Sequence, residues 1–330
     1  MSPKTKQQPF SNFMELYSGL VIRSTGGQNS VKLDNTDRVI ECSIRGKIRL
    51  KGIRSTNPIV VGDHVKVQIE ENAEQGVIVS IDERRNYIIR RSINLSKESH
   101  ILASNIDQVF LVATISEPTT TLMFIDRVLI TAEAYSIPAK IIFNKVDLCT
   151  GPLLDKLAEY VTTYEEIGYK CLITSSTKGI GIEELNAEMS NKISMFTGHS
   201  GVGKSSLINT IEPGLTLKVG AISDAHSQGK HTTTFASMLE LNNGGYVVDT
   251  PGIRAFGLLE IDREELSHYF PEIFAKSDNC RFHNCSHIHE PGCKVIEAVE
   301  NGEIPFSRYD NYATIYLDKD DEKYRTDDYS

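Results

Sequence analysis

The feature that most limits the possible folds is a glycine-rich run from Gly198 to Ser206, which reads GHSGVGKSS. It follows the apolar stretch Ile193–Phe196 and precedes Ser206–Ile211, so the order predicts a strand, a tight loop and a helix. In such a loop the glycines let backbone N–H groups turn inward around phosphates, and the helix N-terminus attracts the anion. An ordinary glycine-rich turn is the alternative. In this setting the match favours a nucleoside triphosphate site.

Individual residues of this loop have expected roles. Lys204 would reach the β- and γ-phosphates, and the Ser205 hydroxyl would be a ligand of Mg²⁺. The residues predicted to hold the phosphates are Gly198, His199, Ser200, Gly201, Val202, Gly203, Lys204, Ser205 and Ser206.

The base is predicted by a second motif, Asn144-Lys145-Val146-Asp147, which follows the predicted strand Ala139–Phe143. The carboxylate of Asp147 can accept hydrogen bonds from guanine N1–H and from the 2-amino group, and adenine has neither donor. A buried carboxylate that faced ATP would stay unpaired, which is costly. We expect the stem of Lys145 to lie along the base and Asn144 to brace neighbouring loops. Ser175 and Ser176, at the end of the next strand, would offer backbone N–H groups to the guanine carbonyl oxygen, on a weaker signal.

Two further segments predict how the γ-phosphate is sensed. The run Asp249–Gly252, DTPG, follows a predicted strand, so Asp249 would hold Mg²⁺ through water and the Gly252 N–H would contact the γ-phosphate. The polar loop Asp224–Thr234 is typical of a switch segment, in which Thr233 would complete the Mg²⁺ coordination. A Pro-Gly turn and a solvated loop are the alternatives for these two segments.

The order of these motifs is unusual. In an ordinary GTPase the P-loop comes first, whereas here the guanine motif and the serine loop precede the P-loop, the threonines and DTPG. This order predicts a circular permutation of the GTPase fold, which closely spaced termini permit.

Ile253 stands where many GTPases have a water-orienting glutamine, so we expect slow intrinsic hydrolysis. His231 is a candidate to complete the site, with an exposed or structural histidine as the alternative. The predicted catalytic residues are Lys204, Ser205, Thr233, Asp249 and His231.

A metal site is predicted near the C-terminus. Cys280, Cys285, His287 and Cys293 follow the pattern C-x4-C-x-H-x5-C. Three thiolates and one imidazole at this spacing fit a closed tetrahedral structural Zn²⁺ site with no open position for catalysis. Unpaired core cysteines are the alternative, and His283 and His289 are possible substitute ligands.

The N-terminal part has a different pattern. Between Tyr17 and Ile81, short Val- and Ile-rich segments alternate with turn signals, which predicts a small barrel or sandwich. The chain as a whole is acidic, with a net charge of −9, but residues 23–91 carry an excess of basic side chains. This excess is compatible with a polyanion-binding face, and a barrel without a ligand is the alternative.

Length and composition exclude several classes of protein. The 330 residues, 40% hydrophobic and 24% charged, are typical of a globular chain of two or three domains. The sequence has no apolar run long enough for a transmembrane helix, and residues 1–9 lack the apolar core of a secretory signal. Six cysteines are too few for a disulfide framework, so we expect a reducing compartment, the cytoplasm.

Together these residues resemble the RsgA family, the ribosome small subunit-dependent GTPases with a circularly permuted G domain. The resemblance covers residues 16–317 and rests on the permuted order, on GHSGVGKSSLIN, GKHTT, DTPG and FPEI, and on the cysteine and histidine spacing. It implies an N-terminal OB-fold, a permuted α/β P-loop GTPase domain and a mostly helical C-terminal zinc-binding domain. It also implies GTP hydrolysis stimulated by the small subunit, a late role in maturation of that subunit, and an association of His231 with hydrolysis. One departure is Ser227, where the family's switch loop often has glycine.

The resemblance divides the chain into six expected segments. They are a flexible N-terminus (1–16), an OB-fold RNA-binding domain (17–82), a linker (83–100), the GTPase domain (101–262), a zinc-binding domain (263–317) and an acidic tail (318–330). In the OB-fold, the residues suited to rRNA backbone contacts are Arg45, Lys47, Arg49, Lys51 and Arg54.

Cofactors and partners follow from the same resemblance. We expect GTP or GDP, Mg²⁺ and one structural Zn²⁺, with the small (30S) ribosomal subunit and 16S rRNA as partners, no membrane, and a monomeric protein. Two other functions stay open on the residues alone. One is a P-loop small-molecule kinase, and the other is a non-hydrolysing RNA-binding protein with a vestigial nucleotide site.

Overall fold

The computed structural model describes residues 14–25, 27–44, 58–70, 73–90, 100–215, 236–249, 256 and 261–317. Internal contacts divide the chain into two compact units. The first holds the described residues up to Ile106 together with 236–240 and 247–249, and the second holds the others. Several predicted residues lie outside the described ones: His231, Thr233, Gly252, the side chain of Asp249, the basic residues at 45–54 and the acidic tail.

Five strands of the first unit form a small barrel, as predicted. They are β1 (Met14–Ser24), β2 (Asn29–Leu33), β3 (Val39–Ile44), β4 (His64–Glu70) and β5 (Gln75–Ile81). The strands are hydrogen-bonded in the order β1-β2-β3-β5-β4, and a further pairing of β1 with β4 closes the ring. Alternate residues of β4 are buried, because successive side chains of a strand point to opposite faces. The core contains Val21, Val31, Val65, Val67 and Ile78.

Two expected boundaries around the barrel are wrong in part. Strand β1 begins at Met14, so the expected flexible N-terminus is too long by residues 14–16, which pair with 68–70 of β4. The expected linker at 83–100 contains β6 (Tyr87–Arg90), which pairs with β7 (His100–Ser104). Strand β6 has too few buried apolar residues to show the alternating hydrophobic pattern of a strand in the sequence. It forms because it pairs with β7, which lies further along the chain.

One basic residue counted toward the polyanion-binding face has a structural role instead. The guanidinium of Arg84 donates to Asp63 Oδ1 at 2.6 Å and to Asp63 Oδ2 at 2.7 Å. Asp63 is fully buried and also accepts from the Ser104 hydroxyl at 2.6 Å. A buried carboxylate needs such donors, so this group fastens strand β7 to the barrel.

Two more strands belong with the barrel. β12 (Ala236–Glu240) is antiparallel to β1, with Arg23 opposite Ser237, and most of β13 (Tyr246–Asp249) lies in the same unit. The ammonium of Lys32 also donates to Glu240 Oε1 at 2.8 Å.

The second unit is built on a parallel sheet, which confirms the predicted α/β class. Its strands are β8 (Gln108–Ala113), β9 (Ala139–Phe143), β10 (Lys170–Ile173) and β11 (Ile193–Thr197), in the order β10-β9-β8-β11. Every residue of β8 and β11 is buried, the pattern of strands covered on both faces. The helices of this part are α1 (Leu122–Ala134), α2 (Pro152–Ile167), α3 (Ile182–Met189) and α4 (Lys204–Ile211).

The C-terminal region is helical, as expected. A 3-10 helix (Arg263–Tyr269) precedes α5 (Pro271–Ser277), α6 (Lys294–Glu300) and α7 (Phe306–Leu317). Their core includes Phe270, Val295 and Tyr312, and it also takes in Ile130 of α1. The expected boundary between residues 262 and 263 therefore does not separate two compact units. Among the described residues, no helix combines the length and the hydrophobicity that crossing a membrane requires.

Candidate nucleotide and metal sites

The glycines of the P-loop allow a backbone that other residues would strain. Gly198, Gly201 and Gly203 have φ angles of 139°, 82° and 100°, which side-chain-bearing residues rarely adopt. A Cβ atom on Gly198 would lie 2.3 Å from the carbonyl oxygen of Val112, and one on Gly203 would lie 2.4 Å from Asn144 Nδ2. The loop thus fits closely against β8 on one side and the guanine motif on the other.

The P-loop lysine closes the loop from within. Lys204 begins α4, and its ammonium donates to the carbonyl oxygens of Gly198 and His199, both at 2.7 Å. Lys204 and Ser205 are buried at the base of the loop. Phosphate oxygens would be stronger acceptors than these carbonyls because they carry charge. The lysine is therefore poised to exchange backbone acceptors for an anion.

The guanine motif is fastened to the P-loop through Asn144. Its side-chain Nδ2 donates to the Val202 carbonyl oxygen at 2.8 Å, and its Oδ1 accepts from Thr174 Oγ1 at 3.0 Å. Its backbone N–H donates to Ala113, the last residue of β8. One buried side chain therefore joins three loops, each at the carboxyl end of a strand, where parallel sheets bind ligands.

The carboxylate of Asp147 is oriented by the neighbouring loop. The hydroxyl of Ser175 donates to Asp147 Oδ1 at 2.5 Å, and the hydroxyl of Thr177 donates to Oδ2 at 3.3 Å. The hydrogen bond from Ser175 is the main reason that the pKa of Asp147 lies below its ordinary value. The carboxylate is thus kept ionised, as an acceptor for two guanine donors must be.

The expected role of Ser175 needs a correction. Its backbone N–H donates to the carbonyl oxygen of Ile180 at 3.0 Å, so it is not available to guanine. The serine acts through its hydroxyl instead. Ser176 follows in the turn and is half-buried.

Lys145 is in the left-handed region, with a φ of 61°, and its ammonium donates to the carbonyl oxygen of Glu117 at 2.5 Å. Sequence reasoning missed Thr177, which is a turn residue with no motif, and Phe124, whose ring stacks on His199. Both are contacts between segments far apart in the chain, which local patterns do not encode. Asp249 is the last residue of β13, the expected end of a strand.

The predicted metal ligands come together in the second unit. The donor atoms of Cys280, Cys285, His287 and Cys293 all lie within 4.8 Å of one another. The sulfur atoms of Cys280 and Cys293 are 3.9 Å apart, and they lie 3.6 and 3.5 Å from His287 Nδ1. In a tetrahedral site with Zn–S of about 2.3 Å and Zn–N of about 2.0 Å, these separations would be about 3.8 and 3.5 Å.

The separations among Cys280, Cys293 and His287 therefore match those of a tetrahedral Zn²⁺ site, and the set of four donors is compatible with one. His283 and His289 are exposed and do not belong to the group found among the described residues.

The ligand loop is held by neighbouring hydrogen bonds. The carboxylate of Glu290 accepts from the backbone N–H groups of Ser286, Ile288 and His289. Burial alone would raise its pKa, but these bonds and the Ser286 hydroxyl lower the pKa of Glu290 to about 2. From α7, the hydroxyl of Tyr312 donates to the Ser286 carbonyl at 2.8 Å, which supports the loop from the other side.

Comparison with protein families agrees with this geometry. The family model described as RsgA GTPase matches residues 81–259, and the one described as RsgA N-terminal domain matches residues 18–78. Together the two matches cover most of the barrel and the P-loop sheet.

Individual relatives are similar over nearly their full length. The chain is 51% identical to the small ribosomal subunit biogenesis GTPase RsgA of Flavobacterium psychrophilum, covering 95% of this chain and 96% of that protein. It is 50% identical to RsgA 2 of Bacteroides thetaiotaomicron, covering 93% and 98%. Among solved structures, YjeQ from Thermotoga maritima superposes with a TM-score of 0.76 at 38% identity, covering 92% and 98%. YloQ, a circularly permuted GTPase, gives a TM-score of 0.73 at 31% identity, covering 94% and 96%.

Proposed function

This chain belongs to the RsgA GTPase family, and we propose that it binds and hydrolyses GTP in the assembly of the small ribosomal subunit. The relatives named above are small ribosomal subunit biogenesis GTPases, which supports the same role here. The proposal places the protein in the cytoplasm as a monomer, with the small subunit and its 16S rRNA as partners. Hydrolysis is slow in the free protein and is stimulated by the small subunit.

The observation that carries the nucleotide part is the position of Asn144. This side chain donates to Val202 in the P-loop and accepts from Thr174 beside the guanine-reading carboxylate. The phosphate cradle and the base-reading loop are therefore held in one arrangement. An adenine nucleotide would offer Asp147 neither of the two donors that guanine offers, N1–H and the 2-amino group, which supports GTP over ATP.

The chain's own residues divide the work. The P-loop amides and Lys204 bind the phosphates, and Asp147 selects the base. Ser205, Thr233 and, through water, Asp249 would hold Mg²⁺, which when bound neutralises charge on the β- and γ-phosphates. The amide of Gly252 is assigned to the γ-phosphate, so that the switch segments respond to its presence.

Two assignments concern hydrolysis and structure. His231 is proposed to orient the attacking water, because Ile253 cannot do so. Cys280, Cys285, His287 and Cys293 are proposed to hold one structural Zn²⁺, which keeps the C-terminal loop folded.

The binding of rRNA is assigned to the barrel. Arg45, Lys47, Arg49, Lys51 and Arg54 are proposed to contact phosphates, since an OB barrel with a basic strand and loop suits a polyanion. Binding in the GTP state and release after hydrolysis require that the γ-phosphate stabilise one switch conformation over the other.

The experiment is GTP turnover by the purified protein alone, with small subunits, and with large subunits as the control. Stimulation by small subunits only supports the proposal, and His231→Ala should then lose the stimulated rate while it retains GTP binding. Equal turnover in all three mixtures would contradict the small subunit as the partner, but it would not contradict GTP hydrolysis by this chain. Phosphate transfer to a small molecule, or binding without any hydrolysis, would support a kinase or a non-hydrolysing RNA-binding protein instead.

A further inference from the structure

Helix α1 touches the P-loop through a pair of rings. The centroid of the His199 imidazole lies 3.8 Å from the centroid of the Phe124 ring, and the planes are inclined by 29°. Stacked rings of this kind stabilise a contact beyond the surface that they bury. Both side chains are half-buried. Neither the P-loop motif nor the guanine motif accounts for this pair.

The backbone of His199 also helps to hold the P-loop lysine, Lys204. Its carbonyl oxygen accepts from Lys204 Nζ at 2.7 Å. On one side of it, Gly198 lies against the backbone of β8, and on the other the Val202 carbonyl accepts from Asn144. The ring of His199 therefore anchors the stretch between two backbone attachments, and its position affects where the lysine acceptor lies.

Phe124 in turn is held by its own helix. The hydroxyl of Thr121 accepts from the Phe124 N–H at 3.2 Å and caps the first turn of α1. Two residues along, the fully buried carboxylate of Asp126 accepts from Tyr164 at 2.7 Å and from Arg308 at 2.6 Å. Displacing this turn would leave a buried charge without its donors, which is costly. The turn is therefore a firm support for the P-loop.

We propose that Phe124 is a positioning residue of the nucleotide site, which shapes the P-loop through its contact with His199. A loop that is already shaped loses little conformational freedom when the phosphates bind, and the bound state is correspondingly more stable. Removing the ring frees the loop and lets the nucleotide leave faster. The inference rests on the guanine nucleotide site proposed above.

The test is the rate at which a fluorescent GDP analogue dissociates from the full chain. Phe124→Ala should accelerate dissociation by about three- to tenfold, the effect of losing one aromatic pair. Phe124→Tyr keeps the ring and should restore the rate of the unchanged protein. Met123→Ala is the matched control, because Met123 is half-buried in the same helical turn, and its dissociation rate should equal that of the unchanged protein.

The thermal unfolding midpoints of the nucleotide-free variants are also measured, so that an effect on nucleotide dissociation can be told apart from an effect on the stability of the fold. An unchanged dissociation rate in Phe124→Ala, or an equal acceleration in Met123→Ala, would overturn the positioning role. If Phe124→Ala does not fold, Phe124→Leu keeps apolar volume without the ring, and the same acceleration is expected. Failure of the unchanged chain to bind GDP would overturn the nucleotide site and this inference together, so the two failures are distinguishable.

Discussion

The guanidinium of Arg308 donates to Asp126 Oδ1 at 2.6 Å across 182 positions of the chain. Arg308 is 1% exposed and Asp126 is fully buried, and Glu272 accepts from the same guanidinium at 2.7 Å. Burial lowers the pKa of an arginine, but the two carboxylates hold the pKa of Arg308 above its ordinary value. The pair joins α7 to α1, so the C-terminal helices are attached to α1 through a buried charged group.

Replacing Arg308 by Met is expected to destabilise the protein by about 3–5 kcal/mol, because the buried carboxylate of Asp126 loses its charged donor. Denaturant unfolding measures this change. The double variant with Asp126→Asn no longer carries the buried negative charge, so its loss should be well below the sum of the two single losses. Additivity within about 0.5 kcal/mol would show that the two side chains are not coupled.

Asp147→Asn is expected to weaken GDP binding by a hundredfold or more, on the order of two lost hydrogen bonds to a charged group. Xanthosine diphosphate should bind the variant better than GDP, because an amide donor complements the carbonyl that replaces the guanine amino group. Competition binding of the two nucleotides gives the answer. Asp155→Asn, an exposed carboxylate at the start of α2, is the control and should keep the preference for GDP.

The fold was predictable where a local period or a motif determines the backbone. The apolar run Ile193–Phe196 identified β11, and the P-loop motif predicted a helix over Ser206–Ile211, where α4 begins two residues earlier, at Lys204. Strand β2 was not predicted, because its five residues, NSVKL, depend on pairing with β1 and β3 rather than on their own pattern. Propensity in a strand is largely a property of its neighbours.

The residues of the candidate site were likewise predictable only where a short motif determines their role. Asn144 and the P-loop glycines could be assigned from sequence because each role is tied to a short motif. The hydroxyl role of Ser175, the support from Thr177 and the Phe124 ring could not, because each depends on how separate loops pack. Arg308 reads as an ordinary surface residue of an amphipathic helix until its partners are known.

Acid should remove part of the stability through Glu188. Hydrogen bonds from Lys140 and then Lys170 lower the pKa of Glu188 to about 2, from an ordinary value of 4.5. A lowered pKa in the folded chain stabilises it above pH 4.5, and the gain disappears as the pH falls toward 2. Its side chain is 22% exposed, so we expect about 1 kcal/mol or less.

Unfolding of the unchanged protein and of Glu188→Gln, compared from pH 7 to pH 3, checks this prediction. The difference in free energy of unfolding should be greatest at pH 7 and should shrink with acid. Glu183→Gln, an exposed glutamate on the same helix, should show no such trend. A difference that stays constant with pH would contradict the assigned cause.

The metal site predicts one zinc per chain, and Cys280→Ser should abolish it. Thiolates need a bound cation to remain charged in this buried loop, so losing the metal should also destabilise it. A loss of about 3 kcal/mol would lower the thermal midpoint by about 6–12 °C.

Zinc released by a thiol-modifying reagent and titrated with a chromogenic chelator gives the stoichiometry, and a melting curve gives the shift. Cys171→Ser, half-buried and away from the four ligands, is the control and should keep its zinc. Stoichiometric zinc in Cys280→Ser would mean that the fourth ligand comes from elsewhere and that this donor set is wrong.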